Sequence, residues 1–215
     1  MSVGVFGKLP ARRDYVQNGV DQGLMALMDP WLQACQQESR GHLGEAWLDV
    51  YLTAPIWRFW MGPGTIGQTV LGALMPSVDG VGRYFPLAVL GTFETSVPAP
   101  HRDRHDAWFA AAEHALLSAL ADDGTYEDLI DAVGQMPEPG LADGDPDDLA
   151  GKIEGCLDDL IVAMSVWWVP GDPDRGQTAR AHMWRGLPPA AAYAMMIGQP
   201  DAPMETETAM GGQEC

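Results

Sequence analysis

Residues 68–93 read Gln68-Thr-Val-Leu-Gly-Ala-Leu-Met75-Pro-Ser-Val-Asp79-Gly-Val-Gly-Arg83-Tyr-Phe-Pro-Leu-Ala-Val-Leu-Gly-Thr-Phe93. β-Branched and aromatic residues in Gln68–Met75 and Arg83–Phe93 favour extended backbone, and the turn-forming run Pro76 to Gly80 lies between them, so the stretch predicts a β-hairpin. Working outward, Val3 to Phe6 is a short apolar run closed by Gly7 and Pro10, which predicts a first strand. Residues 46–61 gather Trp47, Trp57, Phe59 and Trp60 around Pro55, and read as two short strands or as a helix end and a strand. Leu160 to Val169 is almost continuously apolar and predicts a central strand buried on both faces.

Between these segments the apolar period changes to three and four. From Asp21 to Ser39, Leu24, Leu27, Met28, Trp31, Leu32 and Cys35 share one face, and Asp29-Pro30 reads as a second helix start, so one helix or two is expected. His101–Ala121, with Trp108, Ala112, Ala115, Leu116 and Leu120 in a stripe, predicts another helix. Tyr126–Val133 and Leu187–Ile197 predict two more, the last begun by Pro188-Pro189. Residues 137–148 hold prolines, glycines and acids and predict a solvated loop, while 199–215 have little to bury and predict a disordered tail. The expected fold is α/β: a single domain over 1–198, with a mostly antiparallel sheet and helices packed on its faces.

Charge narrows the partner classes. The 215 residues carry 12 Lys and Arg against 30 Asp and Glu, a net charge of −18. The excess lies in the second half: residues 1–100 hold 8 acids and 6 bases, residues 101–215 hold 22 and 6. Nucleic acid and anionic membranes repel such a chain, because both are bound by basic side chains that displace counterions. No run reaches the ~20 apolar residues of a membrane span, and no secretory leader is visible. Cys35, Cys156 and Cys215 are scattered without a CxxC, which argues against a disulfide framework and for the cytoplasm.

Motifs for chemistry are sparse. Gly62-Pro-Gly64-Thr-Ile-Gly67 matches the dinucleotide GxGxxG string, but only eight residues separate it from Pro76, too few for the helix such a site requires, and it reads as a turn. His101 and His105 stand one helical turn apart, yet no third metal ligand is placed with them. There is no GxSxG elbow and no cysteine beside a histidine. No cofactor and no metal are expected. What stands out is the set of ionic residues inside apolar, turn-rich segments of the first half: Lys8, Arg12, Arg13 and Asp14 after the first strand, Arg58 between Trp57 and Phe59, and Asp79 and Arg83 around Gly80-Val-Gly82. Unpaired buried charge costs several kcal/mol, so pairing is expected, with Arg58 and Arg83 as partners of Asp14 and Asp79. The same residues could instead line a recognition surface for a protein.

These segments resemble the TagF family of bacterial type VI secretion accessory proteins. The resemblance is carried by Gly4-Val-Phe-Gly-Lys8-Leu-Pro-Ala-Arg12-Arg-Asp14-Tyr-Val16, by Trp31-Leu32 and Ser39-Arg40, by Ala54-Pro-Ile-Trp57-Arg58-Phe59, and by Pro76-Ser77-Val-Asp79-Gly-Val-Gly82-Arg83-Tyr-Phe85-Pro86-Leu87. Ser165-Val-Trp167-Trp168 and Gly186-Leu187-Pro188 extend it. The chain departs from the family pattern at Arg13, where the family has glycine, at Tyr15, where it has phenylalanine, and at Gly80, where it has a basic residue. The resemblance implies a non-enzymatic cytoplasmic repressor acting through the forkhead-associated scaffold protein of the secretion system. It points to Lys8, Arg12, Asp14, Arg58, Ser77, Asp79 and Arg83 as partner-binding or loop-shaping residues. Two other classes remain. A metal-assisted hydrolase would use Asp14 or Asp79, and a structural part of the apparatus would expose Trp57, Trp60, Trp167 and Trp168.

Overall fold

The computed structural model describes residues 2–94, 97–100, 104–140, 161–172, 174 and 176–198. One seven-stranded sheet organises them. Its strands are β1 (Ser2–Gly7), β2 (Val16–Asn18), β3 (Trp57–Met61), β4 (Thr69–Met75), β5 (Leu87–Phe93), β6 (Met164–Val169) and β7 (Arg180–Arg185). The spatial order is β2-β1-β5-β4-β3-β6-β7, and each neighbouring pair is antiparallel.

The hairpin read from residues 68–93 lies at the centre. β4 and β5 pair from Thr69 opposite Phe93 to Met75 opposite Leu87, and all seven residues of each are buried. Their connection is longer than a tight turn, and a single bridge between Val78 and Tyr84 organises it.

Among the described residues five α-helices cover the sheet: α1 (Gln22–Leu43), α2 (Trp47–Leu52), α3 (Asp106–Ser118), α4 (Tyr126–Gly134) and α5 (Ala192–Ile197). Two apolar layers result. On one face Leu24, Met28 and Tyr51 from α1 and α2, with Tyr193 from α5, meet Trp57, Phe59, Leu74 and Trp167. On the other, Trp108, Phe109 and Leu116 from α3 and Leu129 from α4 meet Val5, Trp60, Leu71 and Val89. Each large side chain so buried contributes ~1.5–3 kcal/mol. The indoles are anchored as well as buried: Trp31, Trp57 and Trp60 donate Nε1–H to the carbonyls of Pro188, Met196 and Val97 at 2.8, 3.0 and 3.0 Å.

Several expectations are revised. The Asp21–Ser39 region is one helix running to Leu43, capped by Asp21, whose carboxylate accepts from Leu24 N–H at 3.0 Å. Pro30 lies inside it, where packing on the sheet outweighs the lost backbone hydrogen bond. The second-half helix starts at Asp106, not at His101. The strand in 160–169 is not central: β6 is sixth in order, and its burial alternates along Met164–Val169. β2 and β7 add two edges that the apolar pattern did not mark. Residues 141–148 of the acidic loop and the 199–215 tail lie outside the described residues.

Candidate functional site

The ionic residues of the first half come together where the end of β1 meets the β4–β5 connection. Asp79 has no exposed side-chain surface, and four groups surround its carboxylate. Lys8 Nζ lies 3.0 Å and Arg83 Nε 2.7 Å from Oδ2, while the N–H groups of Val81 and Arg83 donate to Oδ1 at 3.1 and 2.9 Å. Burial alone would raise the Asp79 pKa. The Arg83 N–H, the Lys8 ammonium, the Arg83 guanidinium and the Val81 N–H outweigh it and hold the carboxyl well below the usual range.

Ser77 supplies the second tie. Its Oγ donates to the Lys8 carbonyl at 2.7 Å, and its N–H donates to the buried Tyr51 hydroxyl at 3.0 Å. That hydroxyl in turn donates to the Ser77 carbonyl at 3.1 Å. Gly80 N–H donates to the Arg12 carbonyl at 2.8 Å, and a Cβ on Gly80 would lie 2.9 Å from the Pro10 carbonyl oxygen, which favours glycine for close approach. Arg83 reaches further, donating Nη2–H to the Arg13 carbonyl and lying 3.7 Å from the Asp14 carboxylate, which is almost wholly exposed.

The outer side of this frame carries different chemistry. Tyr15 is 49% exposed, with its ring stacked 6.0 Å from Phe6, edge-on to Phe85 at 4.9 Å, and 5.2 Å from Lys8 Nζ. Partial burial and then the charge of Asp29 raise its hydroxyl pKa. Val81, in the β4–β5 connection, is 54% exposed. Arg12 leaves the cluster for α4, pairing with Glu127 at 2.7 Å and lying 4.6 Å from the Tyr126 ring centroid. An open hollow of about 450 Å³ is lined by Arg12, Arg13, Asp14, Tyr15 and Tyr126 among others.

Arg58 does not join the cluster, which corrects the expected pairing with Asp14 or Asp79. It projects from β3 to α3, where Nε and Nη2 grip the Glu113 carboxylate at 2.6 and 3.1 Å and Nη1 meets Asp106 at 3.2 Å. Lys8 takes the place assigned to Arg58 and Arg83 remains as expected. Glu113 and Asp106 are the partners that the sequence reading missed, and their seven-residue spacing, two turns on one helix face, is the signal that could have shown them.

The other motifs resolve into structure. In Gly62–Gly67 the amides of Gly62, Gly64 and Gly67 are spent on the carbonyls of Met164, Val162 and Pro63, so the loop is a turn clamped to the entry of β6. His105 is buried with Nε2 2.8 Å from the Pro98 carbonyl, and His101 lies outside the described residues. Among the described residues no group of three His, Cys, Asp or Glu could hold a metal ion. No helix among them is long and apolar enough to cross a membrane. Trp57, Trp60 and Trp167 are buried, and Trp168 is half-buried against Phe109 at 4.8 Å.

A family model described as TagF N-terminal domain, type VI secretion system-associated, matches residues 4–136. The chain belongs to the TagF family. The crystal structure of PA0076 from Pseudomonas aeruginosa PAO1 is similar, with 33% sequence identity, a TM-score of 0.80, and coverage of 92% of this chain and 94% of that one. Among curated proteins none matches. The TagF-matched region contains the whole frame of Lys8, Ser77, Asp79 and Arg83, whereas β6, β7 and α5 lie beyond it.

Proposed function

We propose that this TagF-family protein is a non-enzymatic, cytoplasmic negative regulator of type VI secretion, and that it acts by binding the forkhead-associated scaffold component of the apparatus. The observation that supports this reading most is the saturation of Asp79. A carboxylate has about four lone-pair sites, and here four donors occupy them, leaving none for a substrate or a metal. The frame therefore serves to shape the two loops that carry Tyr15 and Val81. An aromatic ring, a flanking arginine and an exposed aliphatic side chain on a rigid support have the composition of an interface centre.

Binding of purified scaffold protein to the wild type and to Tyr15→Ala and Val81→Asp tests the reading. Wild type is expected to bind, and each variant to bind at least about tenfold more weakly, ~1.4 kcal/mol, while remaining folded by circular dichroism at the assay temperature. In the host the same variants should raise secretion. Absence of binding by the wild type, or equal binding by both variants, overturns the proposal.

A further inference from the structure

Among the described residues β7 ends the sheet on the side away from the Asp79 frame, with β6 as its single strand neighbour. Gly186 N–H donates to the Ala163 carbonyl at 2.9 Å, which sets the phase of the β6–β7 ladder. Hydrogen-bonded pairs alternate along an antiparallel ladder, so Trp184, His182 and Arg180 bond to β6, and the N–H and C=O groups of Ala181, Met183 and Arg185 point off the sheet. Such an edge is a template for another strand.

Charge decides what fits it. Residues 175–198 contain three arginines and no acid, in a chain whose net charge is −18. Arg185 is exposed and has no ion pair among the described residues. Arg180 is half-buried, and among the described residues the one hydrogen bond of its guanidinium goes to a neutral acceptor, the Gly198 carbonyl, at 2.8 Å. Among the described residues neither arginine meets a carboxylate. A second copy would bring the same arginines to the junction, which like-charge repulsion opposes.

Beside the edge lies a groove of about 380 Å³ between the start of α3 and the sheet, walled by Phe109, Val166, Trp168 and Ala181. His105 borders it and is 3% exposed. The Pro98 carbonyl can only accept, so Nε2–H donates to it, and Nδ1 is left as a buried acceptor without a partner among the described residues. Burial lowers the pKa of this ring, which keeps it neutral. That nitrogen has no accessible surface of its own, so what the groove offers a partner is the apolar wall of Phe109, Val166 and Trp168, which an aromatic side chain would fill.

We propose that the outer edge of β7 and the adjoining groove form a docking site for an extended acidic segment of a partner protein, which adds to the sheet as an eighth strand and seats an aromatic side chain in the groove. The site is separate from the Tyr15 and Val81 surface and stands or falls without it.

The probe is the peptide acetyl-Thr-Glu-Val-Tyr-Val-Asp-Thr-amide at ~1 mM, titrated into the isotope-labelled full chain and followed by heteronuclear NMR. Controls are the same peptide with lysine for both acids and with serine for tyrosine. The acidic peptide is expected to shift the amides of Ala181, Met183 and Arg185, the lysine peptide to leave them in place, and the serine peptide to bind several-fold more weakly. Met183→Pro removes an outward N–H at a position an edge strand tolerates, so the protein should fold and lose the peptide. Arg185→Glu should weaken binding about tenfold. Absence of any shift on β7, equal response to acidic and lysine peptides, unimpaired binding by folded Met183→Pro, or edge amides already protected from exchange in the free monomer would each overturn the proposal.

Discussion

Lys8 Nζ stands 3.0 Å from a carboxylate oxygen of Asp79 that has no solvent-exposed surface, and this bond joins the first strand to the loop between the two central ones. Two segments some seventy residues apart are thus held by one ion pair, reinforced by the bond from Ser77 Oγ to the Lys8 carbonyl.

Removing Asp79 should be among the most destabilising polar changes in the first half. Asp79→Ala strands Lys8 in a buried site and frees two backbone N–H groups, so its melting temperature should fall further than that of Asp79→Asn, which keeps the shape and an acceptor. The pH response follows from the depressed carboxyl pKa. The unfolded group titrates near 3.9, so its stabilisation is complete above that value and is lost as pH falls toward the lower folded value. Thermal melts from pH 6 to pH 2 should show a steeper acid loss, by about one proton, in wild type than in Asp79→Asn.

Arg58 couples the sheet to α3 through two parallel hydrogen bonds to Glu113. A double-mutant cycle with Arg58→Met and Glu113→Gln, read by chemical denaturation, should return a coupling of about 1.5–3 kcal/mol. Arg58→Lys should recover less than half of it, since an ammonium cannot reproduce the planar fork. Additive single mutants would refute the coupling.

Gly72 sits across from Phe59 on the neighbouring strand, and a Cβ there would lie 2.1 Å from the Phe59 ring. That ring is itself held by stacking on Trp167 at 4.2 Å. Gly72→Ala should therefore cost about 1–3 kcal/mol or more by overpacking, and Gly72→Ala with Phe59→Leu should be less unstable than the sum of the two changes. Simple additivity would show that the ring moves aside.

Cys35 lies in the core on α1, and burial pushes its thiol pKa up to about 12. Because the thiolate is the reactive form, a maleimide or disulfide reagent at pH 8 should leave Cys35 unmodified in the native protein and label it in denaturant. Peptide mass mapping reads this directly. Rapid native labelling would mean that α1 opens.

The central part of the fold was legible because its chemistry is local. β4 and β5 are apolar throughout and flank a proline- and glycine-rich connection, and α1 repeats its apolar residues with helical period. β7 was not legible: Arg-Ala-His-Met-Trp-Arg alternates weakly, since one of its faces is left open and its backbone supplies most of its pairing. β2 is three residues inside a charged loop and exists because β1 offers an edge. The Asp79 frame was half legible. Arg83 is four residues from Asp79 and was found as its partner, whereas Lys8 is far away in sequence, and only the β1–β5 register brings it in. Arg58 was misassigned for the same reason, because its partner acids lie on a helix that no local pattern ties to β3.

The strand order carries a practical consequence for anyone truncating the chain. The family match ends at residue 136, yet β3 takes its outer neighbour, β6, from residues 164–169. A fragment cut at the end of the match would bare the backbone of β3 and strip the Trp167 ring from Phe59, so the recombinant piece that sequence comparison recommends is one that should precipitate.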